Sequence, residues 1–126
     1  MKKEYRIKKN HEFSYIFEKG SSFANRQFVV YTIDKPGQAH FRVGITVSRN
    51  MGNAVARNRI KRRVREIMRE IGDELVQERD YVIIARKPVL SMSFDEMKKS
   101  LQHVMKVGNT YKRKAANRNK RKMKNK

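Results

Sequence analysis

The stretch at residues 52–69, GNAVARNRIKRRVREIMR, constrains the fold and function of this chain more than any other. Its hydrophobic residues recur at three- and four-residue steps, which is the period of one face of an α-helix. That apolar face is formed by Ile60, Val64, Ile67 and Ile71. The remainder of the stretch carries seven Lys or Arg residues and a single acid, Glu66. Because an ordinary solvated helix face mixes charges of both signs, the pattern favours a face that binds polyanions.

The charge of the whole chain points to the same kind of partner. Its 126 residues are enough for one compact domain and carry a formal net charge of +20. Such an excess predicts an acidic partner, with nucleic acid first and an anionic membrane surface second. There is no cysteine for a disulfide or a thiolate metal site. No apolar run resembles a secretory signal or a membrane span, so we expect a cytoplasmic protein.

The basic charge is concentrated at the end of the chain. Residues 112–126 hold nine Lys or Arg and no acid, which leaves a net charge of +11 on residues 1–111. Like charges at this density repel one another, so the segment is predicted to be a flexible basic tail. The remaining residues, 1–111, are predicted to form a single domain.

Local patterns in the first half predict a helix and two strands. A basic extended arm at residues 1–9 precedes a short helix, which we expect Asn10 to cap and Gly20 to end. Residues 27–33 are β-branched and aromatic, and residues 41–48 alternate between apolar and polar side chains. A turn containing Pro and Gly separates these two runs, which predicts that they form a hairpin.

The second half is predicted to add two helices and one strand. The basic helix is expected to begin after its cap, Asn53, and to end near Val76. Residues 80–85, DYVIIA, form a buried strand, and a capping box from Ser93 to Glu96 begins a last helix. The order α-β-β-α-β-α predicts an α+β fold with a small mixed sheet and packed helices, in which the basic helix connects two parallel strands.

The sequence contains no recognisable catalytic constellation. His11, His40 and His103 are scattered, and no carboxylate lies at metal-ligand spacing from them. Glu66 and Glu70 are more simply interpreted as partners of nearby arginines. The glycines do not form a phosphate loop. If this protein takes part in catalysis, its own side chains are not expected to carry out the chemistry.

Three aromatic residues are candidates for stacking on unpaired bases, as single-stranded RNA requires. Phe13 and Phe17 are one helical turn apart, and Tyr31 is on the strand face opposite Phe28 and Val30. Aromatic residues at helical spacing usually face the core, so periodicity alone favours a core role for all three.

Residues 51–65, MGNAVARNRIKRRVR, resemble the signature of the bacterial ribonuclease P protein subunit. The signature fixes both apolar and basic positions over fifteen residues and is therefore specific. Similar segments occur in the same order along most of the chain, namely RIKKNHEF, SFANRQFVVYT, RVGITVS, DYVIIARKP and KKSLQH.

This resemblance implies a fold and an activity. The implied fold is an α/β sandwich like that of a ribosomal-protein domain, with a four-stranded sheet and a left-handed crossover through the basic helix. The implied activity is that of an accessory subunit in a ribonucleoprotein that removes the 5′ leader of precursor tRNA. The hydrolysis depends on Mg²⁺, which the RNA subunit would mainly hold, so the protein alone needs no cofactor. Its partners would be that RNA and precursor tRNA, and the protein alone would be monomeric.

The resemblance also implies two binding surfaces. Residues that match the RNA-subunit-binding positions are Arg57, Asn58, Arg59, Lys61, Arg62 and Arg65. Residues that match the leader-binding positions are Phe13, Phe17, Tyr31 and Arg49. Relatives often have a second basic residue where Asn50 stands, so Arg49 is expected to contact the leader without it.

Two other classes of function remain open at this stage. A structural RNA-binding protein, such as a ribosomal protein, would have a similar size, charge and tail. A membrane-active amphipathic helix is less favoured, because the polar face of the basic helix lacks flanking Trp or Phe residues.

Overall fold

The computed structural model describes residues 2–112. Three helices and four strands follow one another as α1 (Asn10–Lys19), β1 (Ser21–Ala24), β2 (Phe28–Asp34), β3 (Arg42–Val47), α2 (Ala54–Ile71), β4 (Arg79–Ala85) and α3 (Phe94–Val107). Short 3-10 turns occupy Lys3–Tyr5, Arg49–Met51, Gly72–Glu74 and Lys87–Ser91. The predicted tail at 112–126 lies outside the described residues except for Lys112. No helix in the described part is long and apolar enough to cross a membrane.

The four strands form one mixed sheet in the order β1-β2-β4-β3. The strand β1 pairs antiparallel with β2, β2 pairs antiparallel with β4, and β3 pairs parallel with β4. The α+β class is therefore confirmed, and β1 is the fourth strand that the resemblance implied. Its sequence, SSFA, is too short and polar to give a strand signal by itself. The handedness of the β3–α2–β4 crossover stays a prediction.

The predicted hairpin between β2 and β3 is wrong, because β4 lies between them. The strand β4 is apolar on both faces and is mostly buried. A central position suits it, because strands flank it on both sides and helices cover its faces. The connection from β2 to β3 instead packs against the residues that precede β4. The N–H of Lys35 donates to the Glu78 carbonyl at 2.7 Å, and the N–H of Gly37 donates to the Glu78 carboxylate at 3.0 Å.

The main core lies between one face of the sheet and the helices α2 and α3. Residues Ile60, Val64, Ile67, Met68 and Ile71 of α2 are buried there, as the periodicity predicted. Ser93 and Glu96 form the predicted capping box of α3. A smaller cluster on the other face of the sheet joins α1 to β4 through Ile16 and Val82.

Two helix boundaries differ from the predictions and one agrees with them. Asn10 is the first residue of α1 and not its cap, because the capping position is Lys9 and no side chain caps it. Asn53 does cap α2, accepting from the N–H of Ala56 at 2.9 Å. That helix ends at Ile71 and not near Val76. A side chain at Gly72 would lie 2.4 Å from the ring of Phe41, so the chain there passes too close to the core for another residue type.

Candidate RNA interface

The six residues predicted to bind the RNA subunit all lie in the N-terminal two-thirds of α2. We call them the basic face, which consists of Arg57, Asn58, Arg59, Lys61, Arg62 and Arg65. Arg57, Lys61 and Arg65 are half-buried and follow one another at four-residue steps. Asn58, Arg59 and Arg62 are exposed. Among residues 2–112, no carboxylate forms an ion pair with any of these cations. The basic face therefore has unneutralised charge available for a polyanion.

The acids of α2 are engaged nearer the C-terminal end of the helix. Glu66 accepts hydrogen bonds from Arg69, as expected for an arginine partner, and the contact lowers the pKa of Glu66. Glu70 pairs with Lys98 of α3 at 2.8 Å, so the predicted arginine partner for Glu70 is wrong. These two pairs leave the positive charge of the N-terminal part of the helix uncompensated.

Arg57 also holds the turn that precedes its own helix. Its Nη1 donates to the Gly52 carbonyl at 2.9 Å and to the Arg49 carbonyl at 3.4 Å. Gly52 has a φ of +125°, a conformation that favours glycine. The turn thereby fixes the backbone of Arg49, whose side chain is exposed. The side chain of Asn50 is hydrogen-bonded to Ser48.

The three predicted aromatic residues lie where α1 packs on the sheet, and we call the surface that they form with the adjacent strand residues the open cleft. The ring of Phe13 lies over Gly44, since a Cβ built there would be 2.6 Å from two ring atoms. Phe17 and Tyr31 meet edge to face, with centroids 5.0 Å apart and an interplanar angle of 85°. Phe13 and Tyr31 are half-buried, whereas Phe17 is 40% exposed. A core role for all three, which periodicity favoured, is therefore wrong for Phe17.

The floor of the open cleft continues along the sheet beyond the aromatic residues. Tyr31 is paired with Val82, and Val82 with Gly44, so these three residues form one row across the sheet. In the next row on that face, Val29, Ile84 and Thr46 are paired in the same way and are all half-buried. This second row gives the cleft a floor of small and aliphatic side chains.

An ion-pair network closes one end of the cleft. Arg42 of β3 donates to Asp80 of β4 from Nε at 3.0 Å and from Nη2 at 2.6 Å, and to Glu12 of α1 at 3.1 Å. The bonds to Asp80 raise the pKa of Arg42 further. Burial alone would raise the pKa of Glu12, but the hydrogen bond and charge of Arg42 outweigh it, and the pKa is lowered. The network fixes α1 against the sheet.

The opposite end of the cleft has a basic rim. Parallel strands end at the same edge of a sheet, so the residues after β3 and β4 lie together, next to the start of β2. The exposed cations at this rim are Arg26, Arg49, Arg86 and Lys87. The cleft is therefore closed by an ion-pair network at one end and bordered by positive charge at the other.

The aromatic residues and Arg49 were predictable from the sequence, whereas the floor and most of the rim were not predicted. Alternation in RVGITV did place Gly44 and Thr46 on the face opposite Val43 and Ile45. That pattern could have indicated where α1 approaches the sheet closely, because Gly44 leaves room for a ring. Nothing local in the sequence indicates that Arg26, Arg86 and Arg49 lie at one end.

The described part of the chain offers no metal site. No group of three or more His, Asp or Glu side chains within residues 2–112 is arranged to hold a metal ion. Asp80, the one buried carboxylate, is fully occupied by Arg42.

Comparisons with known proteins agree on one family. The family model described as Ribonuclease P matches residues 1–109. The ribonuclease P protein component of Listeria welshimeri is 56% identical over 117 residues, covering 93% of this chain and 98% of that protein. The component of Bacillus cereus is 58% identical over 106 residues, covering 84% and 92%.

Solved structures of such proteins share the fold. The ribonuclease P protein of Staphylococcus aureus aligns with a TM-score of 0.80 and 45% identity, covering 86% of this chain and 98% of that one. The Thermotoga maritima protein aligns with a TM-score of 0.75 and 33% identity, covering 81% and 96%. The family match over residues 1–109 includes the residues of both the basic face and the open cleft.

Proposed function

This chain belongs to the ribonuclease P protein family and is an accessory subunit of the endoribonuclease that processes the 5′ end of tRNA, and from this premise we propose how its two surfaces divide the task. The basic face binds the RNA subunit of the enzyme. The open cleft binds the single-stranded 5′ leader of precursor tRNA. The family and fold favour this function over that of a structural ribosomal protein.

The proposal for the basic face rests on its uncompensated charge. Backbone phosphates of a folded RNA are met by Lys and Arg, and guanidinium groups bind them through two parallel hydrogen bonds. Arg57, Lys61 and Arg65 line one flank of the helix, and Arg62 is exposed beside them. Because α2 is anchored by buried residues on its other side, these cations are presented on a rigid support.

The proposal for the open cleft rests on the exposed aromatic ring beside a basic rim, and this observation carries the assignment of the leader. Single-stranded RNA is bound through stacked bases and neutralised phosphates. Phe17 exposes 40% of its surface next to Tyr31, and Arg49 is exposed at the end of the cleft. A duplex would not present unstacked bases to such rings, so the cleft fits a single strand.

Catalysis is proposed to belong to the RNA subunit. The resemblance implies hydrolysis that depends on Mg²⁺, and we propose that the RNA subunit mainly holds these ions. The contribution of this chain is then to bind the leader and orient the precursor. We expect the protein alone to be monomeric and the complex to work in the cytoplasm.

The test is reconstituted cleavage of precursor tRNA by the cognate RNA subunit at low Mg²⁺, with and without this chain. The chain should raise the cleavage rate. It should also strengthen binding of precursor tRNA more than binding of mature tRNA, which has no leader. Equal gains for both tRNAs would contradict leader binding in the cleft, and no stimulation would contradict the function as a whole.

A further inference from the structure

A pocket lies at the outer edge of β3, between the open cleft and the basic face, and we call it the β3-edge pocket. The N-terminal arm reaches this edge, where the N–H of Ile7 donates to the Val43 carbonyl at 3.0 Å and Arg6 pairs in parallel with Val43. Next to this bridge is a cavity of about 260 Å³. The residues used here from its lining are Arg6, Lys8, Phe13, Gly44, Ile45 and Arg65.

The pocket brings together cations from two distant parts of the chain. Arg6 and Lys8 come from the arm, and Arg65 comes from the basic face of α2. No carboxylate of residues 2–112 forms an ion pair with any of them. Burial, and then the nearby charge of Arg6, lower the pKa of Arg65. Arg6 and Arg65 therefore repel each other, and an anion between them would relieve that repulsion.

The backbone adds a hydrogen-bond donor to the same pocket. The carbonyl of Val43 points to this edge, where it accepts from Ile7. Because alternate residues of a strand direct their N–H and C=O groups to the same side, the N–H of Ile45 also points to this edge. Beyond the bridge at Val43, the arm forms no hydrogen bond to Ile45 in the described structure.

Resting on the function proposed above, we propose that the β3-edge pocket binds one phosphate group of an RNA backbone. Guanidinium groups and backbone N–H groups together are the donors that recur at phosphate sites. The pocket lies between Phe13 of the open cleft and Arg65 of the basic face, so a strand on either surface could supply the phosphate. The RNA subunit and the leader are the two sources that the experiment separates.

The test compares two variants that remove the same charge. The pocket variant combines Arg6→Gln with Lys8→Gln, both of which replace a cation by a neutral polar side chain. The control combines Lys99→Gln with Lys106→Gln, two exposed positions of α3 that form no ion pair in the described structure. Each protein is titrated with the RNA subunit, and each holoenzyme with precursor and mature tRNA, over a range of salt concentrations. Thermal unfolding checks that both variants are folded.

Affinity for RNA falls as salt rises, so the slope of log affinity against log salt is negative. Losing one phosphate contact should reduce the magnitude of this slope by about 0.7 for a single strand and about 0.9 for a duplex. A lower slope for the pocket variant with the RNA subunit supports the site and assigns the phosphate to that RNA. If the salt dependence of the pocket variant is weaker for precursor tRNA but unchanged for mature tRNA and for the RNA subunit, the site is supported and the phosphate belongs to the leader. Equal slopes for the pocket variant and the wild type, or equal changes in both variants, would overturn the site. If the wild type stimulates cleavage in that case, the proposed function still stands.

Discussion

The ring of Phe17 meets the ring of Tyr31 edge to face at a centroid distance of 5.0 Å, although the two residues belong to different elements. Phe17 is on α1 and Tyr31 is on β2, so this contact joins the helix to the sheet at the open cleft. The contact leaves 40% of Phe17 exposed, which gives the ring a free surface on which a base could stack. The leader-binding proposal depends on that free surface.

Replacing Phe17 by Ala should therefore weaken leader binding more than it weakens folding. Loss of one stacked base costs about 1–3 kcal/mol of binding free energy. The measurement is the affinity of the holoenzyme for precursor tRNA relative to mature tRNA. Tyr15→Ala is the control, because Tyr15 is 54% exposed on the same helix but is not among the aromatic residues of the cleft. A loss of thermal stability with unchanged leader affinity would show that Phe17 serves packing.

Replacing Arg62 by Ala should weaken binding of the RNA subunit and its dependence on salt. Arg62 is exposed and has no carboxylate partner among the described residues, so its charge is available for a phosphate. The magnitude of the negative slope of log affinity against log salt should decrease by about 0.7–0.9. Arg69→Ala is the matched control, because Glu66 already neutralises Arg69 on the same helix. Equal changes in the two variants would place the contact elsewhere.

Replacing Gly44 by Ala should destabilise the protein and disturb the cleft. The new Cβ would lie 2.6 Å from ring atoms of Phe13, so the ring or the whole of α1 must move. Overpacking of this kind costs about 1–3 kcal/mol of unfolding free energy, measurable by urea denaturation. Adding Phe13→Ala removes the ring that clashes, so the effects of the two substitutions should not add. Strictly additive effects would mean that the ring does not lie over Gly44 in solution.

Acid should weaken the attachment of α1 through Glu12. The pKa of Glu12 is lowered from its ordinary value of 4.5 when the protein is folded, because Arg42 outweighs the effect of burial. A carboxylate with a lowered pKa adds stability above the unfolded value, and this stability is lost as the pH falls through the folded value. Urea denaturation should thus show a decline below about pH 4.5 that is smaller in Glu12→Gln. The same decline in both proteins would mean that Glu12 contributes nothing to it.

Short-range patterns in the sequence determined the helices and most of their ends. Ile60, Val64 and Ile67 recur with the period of a helix, and this local repeat fixed the buried face of α2. Asn53 and Ser93 cap their helices because a cap needs only the side chain and an N–H three residues later. The run of cations on α2 likewise required no knowledge of the rest of the chain.

Strand order and the composition of the cleft were decided only by the tertiary structure. The length of a loop constrains strand pairing only weakly, so a hairpin of β2 and β3 was compatible with the sequence. In the structure β4 lies between these two strands, and they do not pair. The approach of Arg6 to Arg65 and of Phe17 to Tyr31 depends on which faces of the sheet α1 and α2 cover. Which face each helix covers depends on the burial of apolar residues from all the elements together, so it cannot be predicted from a local pattern.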